Sequence, residues 1–311
     1  MGGLLRTLVV VGSLIVVWGP GDAQAQSFPE PLAAQAAESA PASMTAAPDS
    51  ESSPSQSGSS WIDRFSVSAG IKIWLAKWQV PVQSFSTTGT LTTDWSPMIG
   101  PTVTVSARLR DSDWLSAAFA NFTWLQSDGF DFDPARLNPD GLGINVFDGA
   151  FEAKRRDYTI SAGVTVYKGV GLFAGYYNTQ QRFSFSGSTV PGGAPVSGTD
   201  DFRIRGPIVG VFGSSGFNER VGLYGNAAFG ILNYQTGPAS QSFTASGAQA
   251  WSTEVGLNIA GPDVWKFGTT FQVGFRAQVI SINVPNPLTI PGEQHRNDIT
   301  WGPTFAFMGS F

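Results

Sequence analysis

The chain is predicted to be an all-β protein, an antiparallel up-and-down barrel that crosses a membrane with about ten strands. Three observations carry that expectation. Charged residues make up 13% of the 311 residues, about half the ~25% usual in soluble domains. From Trp61 onward, apolar and small polar residues alternate with the period of two that separates the faces of a strand. Long and short connections also alternate strictly along the chain, as in barrels whose loops gather at one end and tight turns at the other.

The first segment, 1–25, has the form of a cleaved export signal. Arg6 precedes an apolar core from Thr7 to Trp18, Gly19-Pro20-Gly21 breaks it, and Ala23-Gln24-Ala25 supplies a small-x-small cleavage site. The apolar run is shorter than the ~20 residues a spanning helix needs. Residues 26–60 are rich in Ala, Pro, Ser and Gln, with no aromatic between Phe28 and Trp61. Such a stretch buries too little to offset its ordering entropy, so it is expected to be a disordered periplasmic tether, with contact to an envelope partner as an alternative. Residues 61–311 form the predicted barrel.

In strand one, Phe65, Val67, Ala69, Ile71, Ile73 and Leu75 face one way, and Ser66, Ser68, Gly70 and Lys72 the other. Strand two sets Val103, Val105 and Ala107 against Thr102, Thr104, Ser106 and Arg108. Strand three, 114–125, has two competing registers, Ala117/Phe119 and Ala118/Phe122. Strand four opposes Tyr158, Ile160, Ala162 and Val164 to Thr159, Ser161 and Gly163. Strands five and six start near Val170 and Phe202. In strand six, Gly206-Pro207 suggests a bulge that reverses the faces, with Phe202 and Ile204 toward lipid and Arg203 and Arg205 inside. Strands seven, eight and nine alternate cleanly around Phe229, Val255 and Val273, and a final strand makes ten, with eight or twelve as fallback counts.

The predicted long connections are 79–98, 127–149, 186–200, 234–248 and 283–296, about 14–23 residues each, and are placed outside the cell. The short ones include Lys168-Gly169 and Gly261-Pro262-Asp263. Trp61, Trp114 and Trp265 fall near the turn end, and Trp78, Trp95, Trp124, Trp251 and Trp301 near the loop end, as two interfacial aromatic girdles require.

The segment Trp301-Gly-Pro-Thr-Phe-Ala-Phe-Met-Gly-Ser-Phe311 puts Phe305, Phe307 and Phe311 on one face. It resembles the closing strand of Gram-negative outer-membrane β-barrel proteins. The resemblance covers class and architecture over 61–311, with no subfamily indicated. It implies residence in the outer membrane, contact with its lipid and lipopolysaccharide, and recognition of Phe305, Phe307 and Phe311 by the barrel-assembly machinery.

For function, the inward-facing charges Lys72, Arg108, Arg203, Arg205 and Arg276 against Glu254, with Asp157 as a further candidate acid, suggest a narrow porin-like channel whose field favours anions. The competing reading is an internal ion-pair lattice, with Glu254 on strand eight meeting Arg276 or Lys266 on strand nine, that holds a structural or surface-binding barrel shut. A third reading, a loop-sited hydrolase around His295, has no assembled partners, so no catalytic residue and no enzyme activity is expected. Asp128, Asp131 and Asp133 are candidate calcium ligands, but their spacing lacks the established loop pattern, and no metal or cofactor is expected. Phe130, Phe132 and Phe147 of the same segment suggest a lid over the barrel mouth or an adhesive surface. Zero cysteines exclude disulfides and thiolate chemistry, and a net charge of −5 argues against a nucleic-acid partner.

Overall fold

The computed structural model describes residues 64–84, 87–109, 113–132, 148–188, 195–236, 243–264, 267–285 and 293–311. The predicted signal and tether, Trp61, Trp265, Asp133 and Phe147 lie outside them. Twelve antiparallel strands are formed: β1 (Phe65–Ser84), β2 (Thr87–Thr92), β3 (Ser96–Arg108), β4 (Ala117–Ser127), β5 (Phe130–Phe132), β6 (Asp148–Tyr167), β7 (Val170–Ser188), β8 (Pro195–Gly216), β9 (Val221–Thr236), β10 (Phe243–Ala260), β11 (Gly268–Pro285) and β12 (Glu293–Ser310). Ten of them form a closed wall, each pairing with its neighbours in chain order, and β12 returns to β1 through pairs such as Ile71↔Phe307 and Ile73↔Phe305.

The other two strands extend that wall. β2 pairs with β1 beyond β3, and β5 pairs with β6 beyond β4. Between the pairs Ala76↔Ser96 and Gln79↔Thr92, the β2–β3 side carries one residue more than β1. The bulge reverses parity, so Leu91 and Thr93 face inward before it and Met98 after it. A matching shift separates β4 from β5 around Asp128–Gly129. The two irregularities compensate, because the bridge Thr93↔Phe132 restores the register of Met98↔Ser127.

At the turn end the connections are tight. Lys168 and Gly169 both have positive φ, 41° and 76°, the conformation of a type I′ hairpin, which glycine adopts without steric cost. The Asn218 side chain accepts from the Arg220 and Val221 amides, both at 2.9 Å, closing the β8–β9 turn.

The strands are far longer than crossing demands. A tilted strand spans the hydrocarbon in ~9–11 residues, whereas β8 has 22 and β6 has 20. Much of the segments 79–98, 186–200 and 234–248, expected to be loop, is therefore wall. Toward the turn end the outer face is apolar: Ile71, Ile160, Leu172, Val209, Ile231, Val273 and Phe307 are all exposed. The inner face there is largely small and polar, with Ser66, Ser68, Thr102, Thr104, Ser106, Ser161 and Asn258 buried, and Phe119, Phe173, Ile208 and Phe212 set among them.

Toward the loop end the polarity reverses while the geometry continues. Trp74, Ala76, Trp78 and Val80 on β1 point inward and are buried, joined by Leu91, Leu125, Phe130, Phe132 and Phe183 in one cluster. Ile204, Leu232, Tyr234, Ile280 and Ile282 form a second. The outward residues at this level are polar, as on any protein wall standing in water.

That reversal corrects the reading of strand six. The pairs Arg205↔Asn233 and Ile208↔Gly230 share one register, so Gly206-Pro207 is not a bulge. Phe202 and Ile204 face the interior, with Ile204 fully buried, and Arg203 and Arg205 face out. The error came from equating apolar with lipid-facing, which holds only along the belt. The three strand-borne Gly-Pro sites instead leave gaps of unpaired residues in the ladders β3–β4, β8–β9 and β12–β1, each without a change of register. Proline supplies no amide hydrogen there. Each glycine permits close approach, because a Cβ at Gly100, Gly206 or Gly302 would overlap the carbonyl of Trp124, Ile231 or Leu75.

Candidate functional site

Two ionic clusters sit inside the barrel where the lining changes from polar to apolar. The Arg155 side chain is fully buried. It donates through Nε to Asp157 Oδ1 at 2.9 Å and through Nη2 to Asp157 Oδ2 at 2.8 Å, a bidentate pair. It also donates to Thr300 Oγ1 at 2.6 Å, to the Tyr177 hydroxyl at 3.1 Å and to Gln278 Oε1. These partners come from β6, β7, β11 and β12, so a single guanidinium bridges the lumen between distant strands. Its plane lies against the Trp74 and Trp78 rings, with Cζ 5.8 and 5.5 Å from their centroids.

The second cluster centres on Glu254 of β10. Lys72 Nζ donates to both carboxylate oxygens at 2.7 Å from across the lumen. The Tyr224 hydroxyl donates to Oε1 at 3.0 Å and Thr304 Oγ1 at 3.2 Å. Arg276 completes the layer with its guanidinium 4.6 Å from the Trp74 centroid. Toward the turn end lies a cavity of about 200 Å³, bordered by Thr102, Thr104, Asn121, Ser161 and Ser252 together with Lys72 and Glu254. On the loop side of Arg155 the interior is filled by aromatic packing, with Trp78 against Phe130, Phe132 and Phe183 at centroid distances of 5.4, 5.6 and 5.2 Å.

Lys72, Glu254 and Arg276 thus lie on the inner face and come together. Arg108 shares their parity but sits exposed at the turn end of β3. Arg203 and Arg205 are outside, which removes two of the five cations from the expected lumen field. Arg155 escaped the sequence reading because strand four was begun at Tyr158. Carrying its inward phase back from Thr159 through Asp157, itself a candidate inward acid, to Arg155 finds the pair.

Of the described girdle tryptophans, Trp114 packs on Tyr167 at 4.7 Å near the turn end. Near the loop end Trp95 packs on Trp301 at 4.9 Å, Trp124 on Tyr158 at 6.2 Å and Trp251 on Phe229 at 4.5 Å. Trp78 does not belong to a girdle; it faces inward and is fully buried. Phe305, Phe307 and Phe311 all face outward. Phe130 and Phe132 are built into the wall and point inside it rather than forming a lid. Asp128 and Asp131 are exposed, and the backbone of His295 lies in β12, paired with Asn283, and not in a loop.

No family model and no curated protein matches the chain. Among solved structures, it is similar to the outer membrane protease OmpT from Escherichia coli, with 11% identity over 79% of this chain and 95% of that one and a TM-score of 0.50. It is also similar to the Pseudomonas putida toluene transporter TodX, with 10% identity over 80% and 90% of the two chains and a TM-score of 0.31. A third is the Yersinia pestis attachment invasion locus protein Ail, with 13% identity over 78% and 98% and a TM-score of 0.26. At these identities the likeness is one of fold. The fold is that of Gram-negative outer-membrane β-barrels, and the outward apolar belt places the chain in the outer membrane.

Proposed function

We propose that this outer-membrane barrel is closed to solutes and acts through its outer wall and loop end. One observation carries the reading: on the loop side of the Arg155–Asp157 pair, the interior is an apolar core centred on Trp78. Ten strands enclose far less space than the ~16 of an aqueous porin, and large side chains fill what remains. The lattice of paired charges suits a plug, since an open pathway for anions needs cations that are not already neutralised.

Purified, folded protein in a planar bilayer tests this. No stepwise conductance is expected from the native chain, and the double substitution Trp74→Ala/Trp78→Ala, which empties the plug, is expected to introduce it. Discrete steps from the native protein would overturn closure and favour the second reading, a narrow channel. The feature supporting that alternative is the cavity of about 200 Å³ toward the turn end, where Lys72, Glu254 and hydroxyl side chains face Phe119, Phe173 and Phe212.

A further inference from the structure

The outward face of β6, β7 and β8 immediately above the apolar belt carries five basic side chains: Lys154, Arg156, Arg182, Arg203 and Arg205. The strand registers set them side by side. Arg156 pairs with Gln180 and Gln180 with Arg203, while Lys154 pairs with Arg182 and Arg182 with Asp201. One step toward the belt, Tyr158 pairs with Asn178 and Asn178 with Arg205. With strands ~4.8 Å apart and side chains on one face ~7 Å apart along a strand, neighbouring members of the group lie within about 10 Å of each other.

Four of the group, Lys154, Arg156, Arg182 and Arg203, border a groove of about 390 Å³ on the wall, and Arg205 lies one step nearer the belt. Acidic neighbours offset only part of the charge. Asp201 pairs with Arg182 at 2.7 Å, and Glu152 lies 3.9 Å from Lys154. Among the described residues, Arg156 and Arg205 have no ion-pair partner, and Arg203 has only a 3.4 Å hydrogen bond to the Asn178 side chain. A chain of net charge −5 therefore concentrates positive charge on one strip of wall.

The position of the strip selects its ligand. Directly below it, Ile160 and Val209 are each 57% exposed and Tyr176 is 43% exposed, on the lipid-facing surface. One amphiphile with acyl chains on Ile160 and Val209 would hold its headgroup at the arginines. Guanidinium groups engage phosphate oxygens in a bidentate manner, and the barrel's loop-end half stands in the leaflet facing outward. We infer that this strip is a binding site for the phosphate groups of a phosphorylated glycolipid of the outer leaflet. The inference rests on the membrane placement and not on closure of the lumen, so a conducting barrel would leave it intact.

The test uses the full-length protein in phosphatidylcholine nanodiscs, titrated with fluorescent bisphosphorylated lipid A, its dephosphorylated form and phosphatidylglycerol. Bisphosphorylated lipid A is expected to bind about tenfold or more tightly than either of the others. The triple substitution Arg156→Glu/Arg203→Glu/Arg205→Glu should abolish that preference. Lys77→Glu, which reverses an outward charge on β1, should leave it unchanged. The triple Arg→Gln variant, gentler to folding, should weaken it, and heat-dependent gel mobility verifies that each barrel is folded. Equal binding of the dephosphorylated lipid, equal binding of phosphatidylglycerol, or an unaltered preference in folded triple variants would overturn the inference. So would displacement of the lipid by millimolar inorganic phosphate, which would mark a site for a soluble anion instead.

Discussion

Replacing Arg155 with methionine removes the guanidinium paired with Asp157, whose side chain is 3% exposed, and strips hydrogen bonds from Thr300, Tyr177 and Gln278. Breaking one side of a buried pair typically costs ~3–5 kcal/mol, because the partner remains as an uncompensated charge. Asp157→Leu should cost a similar amount by stranding the guanidinium beneath Trp78. The double variant Arg155→Met/Asp157→Leu leaves neither charge, and apolar replacement of a whole pair is often near neutral. Additivity would put the double variant at ~6–10 kcal/mol, whereas coupling should leave it within ~2 kcal/mol of the native protein. The measurement is urea unfolding of folded protein in detergent micelles, followed by tryptophan fluorescence and by heat-dependent gel mobility. Single variants costing under ~1 kcal/mol, or a double variant that simply sums them, would refute the assignment of this pair as the ionic brace of the lumen.

Three further outcomes follow from the same structure. Trp78→Ala empties a fully buried site among Phe130, Phe132 and Phe183 and should cost ~3–5 kcal/mol in the same unfolding assay. Val209→Arg introduces a charge on the belt and should cost ~2–4 kcal/mol if it lies near the bilayer midplane, while Arg205→Val, four residues nearer the loop end, should change stability by under ~1 kcal/mol. Gly302→Ala would drive a Cβ into the Leu75 carbonyl and should sharply lower the yield of folded barrel, whereas Gly213→Ala, whose nearest neighbour is a Val170 methyl at 3.8 Å, should fold normally in refolding tests.

The strand count, the pairing order and the lipid-facing belt were legible because one simple rule, apolar side out, governs most strands at that depth; β4, where Ala117 and Phe119 face inward, is the strand whose register the pattern left open. The phases of Val221, Val255, Phe271 and Ile160 all follow it. What escaped was the half of each strand beyond the belt. There Ser, Thr and Gly dilute the alternation, and the sense of the pattern inverts, so Trp78 reads as an interfacial residue and Ile204 as a lipid-facing one. Arg203 and Arg205 were misplaced for the same reason, since a bulge was needed only to rescue a rule already out of its range. Spacing on neighbouring strands points Glu254 toward Arg276 or Lys266, of which Lys266 lies outside the described residues; the partner that closes on its carboxylate is Lys72, and that meeting depends on closure of the barrel, which local pattern does not encode. Arg155 needed one further step, extending a known phase from Thr159 back toward the loop end.

The inversion along each strand has a consequence for assembly. Sliding a strand by a single residue would turn buried apolar side chains, such as Trp78 of β1 or Ile204 of β8, into water at one height and hydroxyls into hydrocarbon at another, so both halves of the cylinder penalise the same mistake. A barrel with one uniform pattern has only its belt to detect such a slip. Here the correct alignment is checked twice, by two opposite solvents. The only described one-residue irregularities of the β1–β4 region, beside Asp94 and Asp128 on adjoining strands, occur as a facing pair that cancel.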